Sequence, residues 1–424
     1  MNIWERKKPS FGFVSTRFSG LDGVSLETKK WMQVLTAKGC QTCFLAGEID
    51  TPAEVSRCEP LLSFKDERIL KIQASLFQEG ARNNDLSREI DQYKWELKKI
   101  IYDFYREFNF DILVVENAFT IPLNIPLGLA LTEFISEANV NTIAHHHDFY
   151  WERDRFSNPA ANDYLRAAFP PVHPLIQHTV INSQAGQQLA RNTGESSTLI
   201  PNVIDFKIYP SGIDSYNSDF REAIGVNKED LLVLHPTRIV SRKAIETSIE
   251  IVKKLKSCNA VLVITHDAGD EGFSYLYRIR EYAELLDIRM KIVSDRVGIE
   301  RASNENGEKI YSFWDTYYNA DLISYPSLYE GYGNAFVEAV YARKPIVVNR
   351  YKIFNLDIMP KKFDVISFDR YITKETIRQI EEVLDNRKHR EEIVEKNYML
   401  GWRYLSYEML EEKLEQILIS IYGS

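Results

Sequence analysis

The chain has 424 residues, 44% of them hydrophobic and 27% charged, with 19 Gly, 15 Pro and only 4 Cys. This is an ordinary globular composition at a length of roughly two to three domains, which excludes disorder, collagen-like repeats and a disulfide scaffold. The net charge of −9 argues against general nucleic-acid binding but leaves room for a local basic site on one anionic ligand. No apolar run reaches the roughly 18 residues of a membrane span, and the leading Met-Asn-Ile-Trp-Glu-Arg-Lys-Lys has no signal-peptide core behind it. Together these features point to a cytoplasmic enzyme.

Residues Ser10–Thr16 read as a buried strand, followed by the turn Ser19-Gly20-Leu21-Asp22-Gly23 and a helix from Val24 to Lys38 that Gly39 stops. Thr42–Ala46 is a second strand, so this stretch is a βαβ unit and implies a parallel sheet. Leu86, Ile90, Tyr93, Leu97, Ile101 and Phe104 recur at the spacing of a long amphipathic helix. Asp111–Val115, Val140–His145 and His178–Ile181 complete a first doubly wound unit. The pattern restarts with strands at Leu231–Leu234, Ala260–Ile264, Met290–Val293, Leu322–Tyr325 and Ile346–Val348. Turn-rich Tyr209–Ser218 reads as a linker, and Tyr398–Tyr422 as a final amphipathic helix. The expected fold class is therefore α/β, with two doubly wound Rossmann-like domains facing an interdomain cleft, divided at 1–206, 219–397 and 398–424.

The segment Tyr325-Pro-Ser-Leu-Tyr-Glu-Gly-Tyr-Gly-Asn-Ala-Phe-Val-Glu338 follows a strand and opens a helix. Free amides and the partial positive charge at a helix start suit a phosphate, and Gly331 and Gly333 permit close approach. Glu330 and Glu338 can each accept hydrogen bonds from vicinal hydroxyls, as on a ribose or a hexose. Upstream, Arg238 falls at the end of a strand and Lys243 opens the next helix. A planar guanidinium fork and an ammonium point charge suit a diphosphate that gains charge as it leaves a sugar.

These segments resemble the signature of glycosyltransferase family 4, retaining enzymes of the GT-B fold. The glutamate pair matches Glu330 and Glu338, and the Arg/Lys pair matches Arg238 and Lys243. The first-domain histidine matches His147-Asp148, the segment before the linker matches Pro201-Asn-Val-Ile-Asp205, and the first loop matches Gly20–Val24. The resemblance implies that Arg238 and Lys243 hold the donor diphosphate and Glu338 the ribose. Glu330 and the Gly333, Asn334 and Ala335 backbone would hold the donor sugar, with Gly331 and Gly23 also against the donor. His147 would lie beside the reacting carbon, and Asp22, Asp148, Arg153 and Arg155 toward the acceptor. It further implies no cofactor, no catalytic metal, a last helix that crosses back to the first domain, and retention by front-face attack. The chain departs from the family at Asp22-Gly23, at Asn334-Ala335 and at Tyr341–Pro345, positions that bear on donor and acceptor identity.

Three further patterns have plainer readings. In His145-His146-His147 only alternate residues share a face, so all three cannot meet one ion. Cys40 and Cys43 have a CxxC spacing, but a strand runs through Cys43, which favours core packing over redox or zinc chemistry. Lys29, Lys30 and Lys38 give at most a peripheral membrane contact. The sequence is thus read as a metal-independent hexosyltransferase using a nucleoside-diphosphate sugar. Its acceptor would be a small-molecule, glycan or lipid-linked hydroxyl. The alternatives are a catalytically silent GT-B protein that binds a nucleotide sugar or a partner, and another GT-B activity such as a nucleotide-sugar epimerase.

Overall fold

Short apolar strands alternating with amphipathic helices bury both strand faces only as a parallel sheet covered on each side. The computed structural model, which describes residues 3–20, 23–256, 259–268 and 273–423, has this architecture twice. One unit comprises Met1–Val203 and Tyr407–Ser424, the other Ile204–Ser406.

The first unit contains β1 (Phe11–Val14), β2 (Thr42–Ala46), β3 (Ser56–Cys58), β4 (Ile112–Glu116), β5 (Asn141–His146), β6 (Ile176–Val180) and β7 (Ser197–Leu199). They form one sheet in the order β3-β2-β1-β4-β5-β6-β7, every pairing parallel. Alternation along β4 divides the core. Leu113 and Val115 pack with Leu97, Ile101, Phe104 and Phe134, while Ile112 and Val114 pack with Trp31, Leu35, Leu410 and Leu414. Each such fully buried side chain contributes about 1.5–3 kcal/mol. The predicted long helix is Asn84–Phe108, begun by the Asn83 side chain accepting from the Leu86 amide.

The second unit contains β8 (Leu231–His235), β9 (Ala260–Ile264) and β10 (Arg289–Ile292), then β11 (Val297–Gly298), β12 (Ala302–Ser303) and β13 (Lys309–Ser312) in a small separate sheet. With β14 (Leu322–Tyr325), β15 (Ile346–Asn349) and β16 (Ile366–Phe368), the main sheet has the order β10-β9-β8-β14-β15-β16, all parallel. Strand order reverses at β1/β4 in one unit and at β8/β14 in the other. Ligands of such sheets bind outside the strand C-termini at these reversals.

Two boundaries differ from the sequence reading. The chain enters the second unit at Ile204, so 209–218 belongs to that unit rather than acting as a spacer. Its Asn217 is buried, with Nδ2 donating to Asp315 at 2.7 Å. The single terminal helix expected from Tyr398 is instead two, Arg387–Leu405 and Tyr407–Tyr422, separated at Ser406. Ser406 is buried and bridges to Ile204, and the Ile204 amide donates to the Leu405 carbonyl at 2.9 Å. The second of these helices belongs to the first unit, where the Tyr407 hydroxyl donates to Gln33.

Candidate active site

In the second unit, β8 and β14 lie side by side, so the loops after them share one end of the sheet. The β8 loop carries Arg238, Arg242 and Lys243; the β14 loop carries Glu330, Gly331 and Gly333. The loops are joined by the Leu328 amide donating to the Arg242 carbonyl at 2.8 Å. Lys243 Nζ donates to Glu330 Oε1 at 2.5 Å, and Arg242 donates to Glu330 Oε2 at 3.0 Å. The Lys243 and Glu330 side chains are each 10% exposed. Burial lowers the Lys243 ammonium below its usual value, with the Glu330 charge opposing that effect. Burial alone would raise the Glu330 carboxyl, but the Lys243 and Arg242 charges hold it below the usual range. Both groups are therefore charged and mutually compensated.

Arg238 differs from this trio. It is exposed and its guanidinium has no hydrogen bond or ion pair among the described residues, yet its charge depresses both Lys243 and His266. Burial, then Arg238 and Lys243, bring the His266 imidazole down to about 4.

The helix after the second loop is Asn334–Tyr341. Gly333 sits before it at φ +113°, where a Cβ would come within 2.3 Å of the Tyr351 hydroxyl. Only glycine fits there without strain. Helical bonding begins with the Phe336 and Val337 amides donating to the Gly333 carbonyl, so the Asn334 and Ala335 amides precede the ladder. Glu338, half-buried on this helix, accepts from the buried Tyr317 hydroxyl at 2.7 Å. The charges of Glu330 and Glu338 both act on the Tyr325 phenol beneath the loop.

In the first unit, Glu116 and His145 are register partners at the ends of β4 and β5. His145 Nδ1 and His147 Nε2 lie 3.0 and 2.8 Å from the two Glu116 carboxylate oxygens. Glu116 is fully buried. Burial opposes its ionisation, but the His145 and His147 charges and hydrogen bonds bring it down to about 2. His145 is itself fully buried and stacks on Trp31, with centroids 4.5 Å apart. His146 points the other way, to Thr120 Oγ1 and His178 Nδ1, each at 2.9 Å. The alternation expected of the three histidines is therefore observed. Among the described residues, Glu116, His145 and His147 form the one cluster whose ligand atoms are close enough for an ion, within 4.8 Å of one another.

The remaining candidates are dispersed. Asp22 lies outside the described residues; Gly23 begins the helix Gly23–Ala37, is exposed, and has open space where a Cβ would stand. Asp148 pairs with Arg153, and the exposed Arg155 guanidinium lies over the Phe156 ring at 4.6 Å. Burial, then the Arg153 charge, lower Arg155 below its usual value. Gly331 is exposed. Lys29, Lys30 and Lys38 are paired with Asp50, Glu27 and Glu411. Cys40 and Cys43 are buried and free, their thiols pushed up to about 11 and 12, first of all by burial. No described helix is long and apolar enough to cross a membrane.

Sequence reasoning passed over five residues of these clusters. Arg242 was readable as a second cation beside Lys243, and Glu116 as the last residue of a strand next to the reversal in strand order. His266 follows β9 and had the same positional signal. Tyr317 and Glu27 had none: each lies in an ordinary helical pattern, and Glu27 reaches the Val203 amide at 3.1 Å only through the fold.

Two parallel-sheet units, the second with a cation–carboxylate cluster and a glycine-led helix at its strand reversal, define a GT-B type α/β protein. The chain belongs to the family Glycosyl transferases group 1, whose model matches residues 217–399. It is 34% identical over 382 residues to the mannosylglucosylglycerate synthase of Petrotoga mobilis, covering 84% of this chain and 86% of that protein. Identity to the Thermotoga maritima protein of the same name is 29% over 430 residues, covering 93% and 96%. The fold is similar to that of Anabaena HepE in complex with UDP-glucose, with a TM-score of 0.64, 12% identity, and coverage of 97% of this chain and 100% of that one.

Proposed function

We propose that this glycosyltransferase is of the retaining family 4 type, acts in the cytoplasm, and moves a hexosyl unit from a nucleoside-diphosphate sugar to a hydroxyl acceptor without a catalytic metal. The observation that carries this reading is the Lys243–Glu330–Arg242 cluster at the loop that leads into the helix Asn334–Tyr341, with Lys243 and Glu330 largely buried. Glu330 compensates both cations before any ligand arrives, so they are already oriented toward one spot. A diphosphate would meet Lys243, Arg242, the exposed Arg238 and the helix amides. Two carboxylate oxygens offer about four lone-pair sites, so Glu330 keeps capacity for donor-sugar hydroxyls while holding both cations. Glu338, oriented by Tyr317, would take the ribose hydroxyls.

In the reaction, the bond from the anomeric carbon to the leaving phosphate oxygen breaks. The acceptor oxygen bonds to that carbon on the same face, and its proton passes to the leaving phosphate. The name of the Petrotoga relative describes a product of mannosyl, glucosyl and glycerate units, which favours a mannosyl donor and a glucosylglycerate acceptor here. Such an acceptor carries a carboxylate. Arg153 and Arg155, close enough for one to depress the other, are the candidates to bind it.

The test is incubation with UDP-, GDP- and ADP-sugars and glucosylglycerate, following nucleoside diphosphate release and the product's anomeric proton coupling by NMR. Acceptor-dependent release, a product with the donor's configuration and turnover unchanged by EDTA are expected. An inverted product, or activity lost to EDTA and restored by one divalent ion, contradicts the reading. Binding without any turnover would identify a silent binder.

A further inference from the structure

Glu116 is a fully buried carboxylate at the strand reversal of the first unit, and nothing above gives it a task. Both of its oxygens accept from imidazoles, one from His145 and one from His147. His145 is sealed, stacked on Trp31 and fixed by strand register, so it anchors the carboxylate from behind. His147 is the outer member, with its side chain 12% exposed. Its backbone amide donates to Asn117 Oδ1 at 3.2 Å, which holds the residue at the strand end, and no described residue hydrogen-bonds its Nδ1.

We propose that Glu116 is a positioning residue that fixes His147 with Nε2–H directed at the carboxylate and Nδ1 left as the nitrogen offered to the reacting groups. This rests on the transferase reading of His147. An imidazole whose inner nitrogen donates to a buried carboxylate is locked in one tautomer and one ring orientation, and its protonated form is stabilised. The charged or titratable groups acting on His147 are Glu116, His145, His146, Glu27 and Asp148. Burial disfavours the His147 imidazolium, but the Glu116 hydrogen bond and charge outweigh it and raise the group above its usual value. The rival arrangement is an ion at the same three side chains, which would replace the two N–H donations to Glu116.

The experiment uses the full chain labelled with 15N-histidine, His147 being assigned by loss of its signals in His147→Gln. In the wild type, His147 should appear as the Nε2–H tautomer when neutral and titrate above the ordinary value of about 6.5. In Glu116→Gln its midpoint should fall by at least about one pH unit and the tautomers should mix. Its kcat should drop by roughly tenfold or more, with the donor KM nearly unchanged. Glu116→Asp, whose shorter carboxylate draws back from the ring, should shift the midpoint the same way by less, and it decides the matter if Glu116→Gln does not fold. An unchanged His147 spectrum in the folded variants overturns the proposal, as does one equivalent of metal in the purified protein that is lost in His145→Ala. If the spectra shift as expected but no nucleotide sugar is turned over, the transferase reading fails and the positioning of His147 by Glu116 stands.

Discussion

Glu330 and Glu338 sit eight positions apart in one motif, yet the structure gives them different surroundings. Glu330 is nearly buried between two cations, whereas Glu338 is half-buried and accepts from the Tyr317 phenol. Their proposed tasks separate accordingly, with Glu330 at the reacting sugar and Glu338 at the nucleotide. Glu338→Ala is therefore expected to raise the Kd for a nucleoside-diphosphate sugar by roughly tenfold, the loss of a charged hydrogen bond. Calorimetry giving an unaltered Kd would refute the assignment. The sequence singled out these two glutamates and Lys243 through their motif context, and Gly333 for close phosphate approach, whereas the structure gives Gly333 a left-handed φ against the Tyr351 hydroxyl. The sequence did not show that Arg242, rather than Arg238, holds Glu330, since that choice depends on how two loops meet. Tyr317 was hidden for the same reason: its partner lies 21 positions away.

At the scale of strands and helices, the central strands were legible to within a residue or two because they are continuous apolar runs. The edge strands β3, β7 and β16 and the strands β11–β13 were not, being at most four residues long. The break at Ser406 was invisible for a different reason: no Gly or Pro marks it, and helical periodicity runs through it. Histidines on strands also carry the acid sensitivity of the fold. His178 on β6 and His235 at the end of β8 are brought down to about 4 and about 3, chiefly by burial, from an ordinary value of 6.5. Between those limits the unfolded chain binds protons that the native state refuses. Their contribution to stability is thus complete above pH 6.5 and falls as pH drops below it, by about 1.4 kcal/mol per unit per histidine. Glu116, depressed to about 2 from 4.5, adds to the loss in more acid solution. His147 has the opposite sign: its contribution is present below pH 6.5 and is lost as pH rises through its elevated folded value. The melting temperature is expected to fall steadily from pH 7 to pH 4.5, and a flat profile would mean these imidazoles are not buried as neutral groups.

Across the whole molecule, a net charge of −9 coexists with a concentrated basic site, so global charge and local field carry separate information. Each unit repeats the same sheet logic, but the two ask different chemistry of their strand reversals. The second gathers cations on a carboxylate beside a glycine-led helix start; the first gathers imidazoles on a carboxylate. That division suits a donor on one unit and a nucleophile on the other. The claim on which this division depends is that Lys243 neutralises the departing diphosphate. It is tested most directly by the kcat of Lys243→Ala at saturating donor and acceptor, with a melting curve to establish that the variant folds. A fall of at least about 10²-fold is predicted, the scale of losing a transition-state charge partner; a folded variant turning over at the wild-type rate would contradict it.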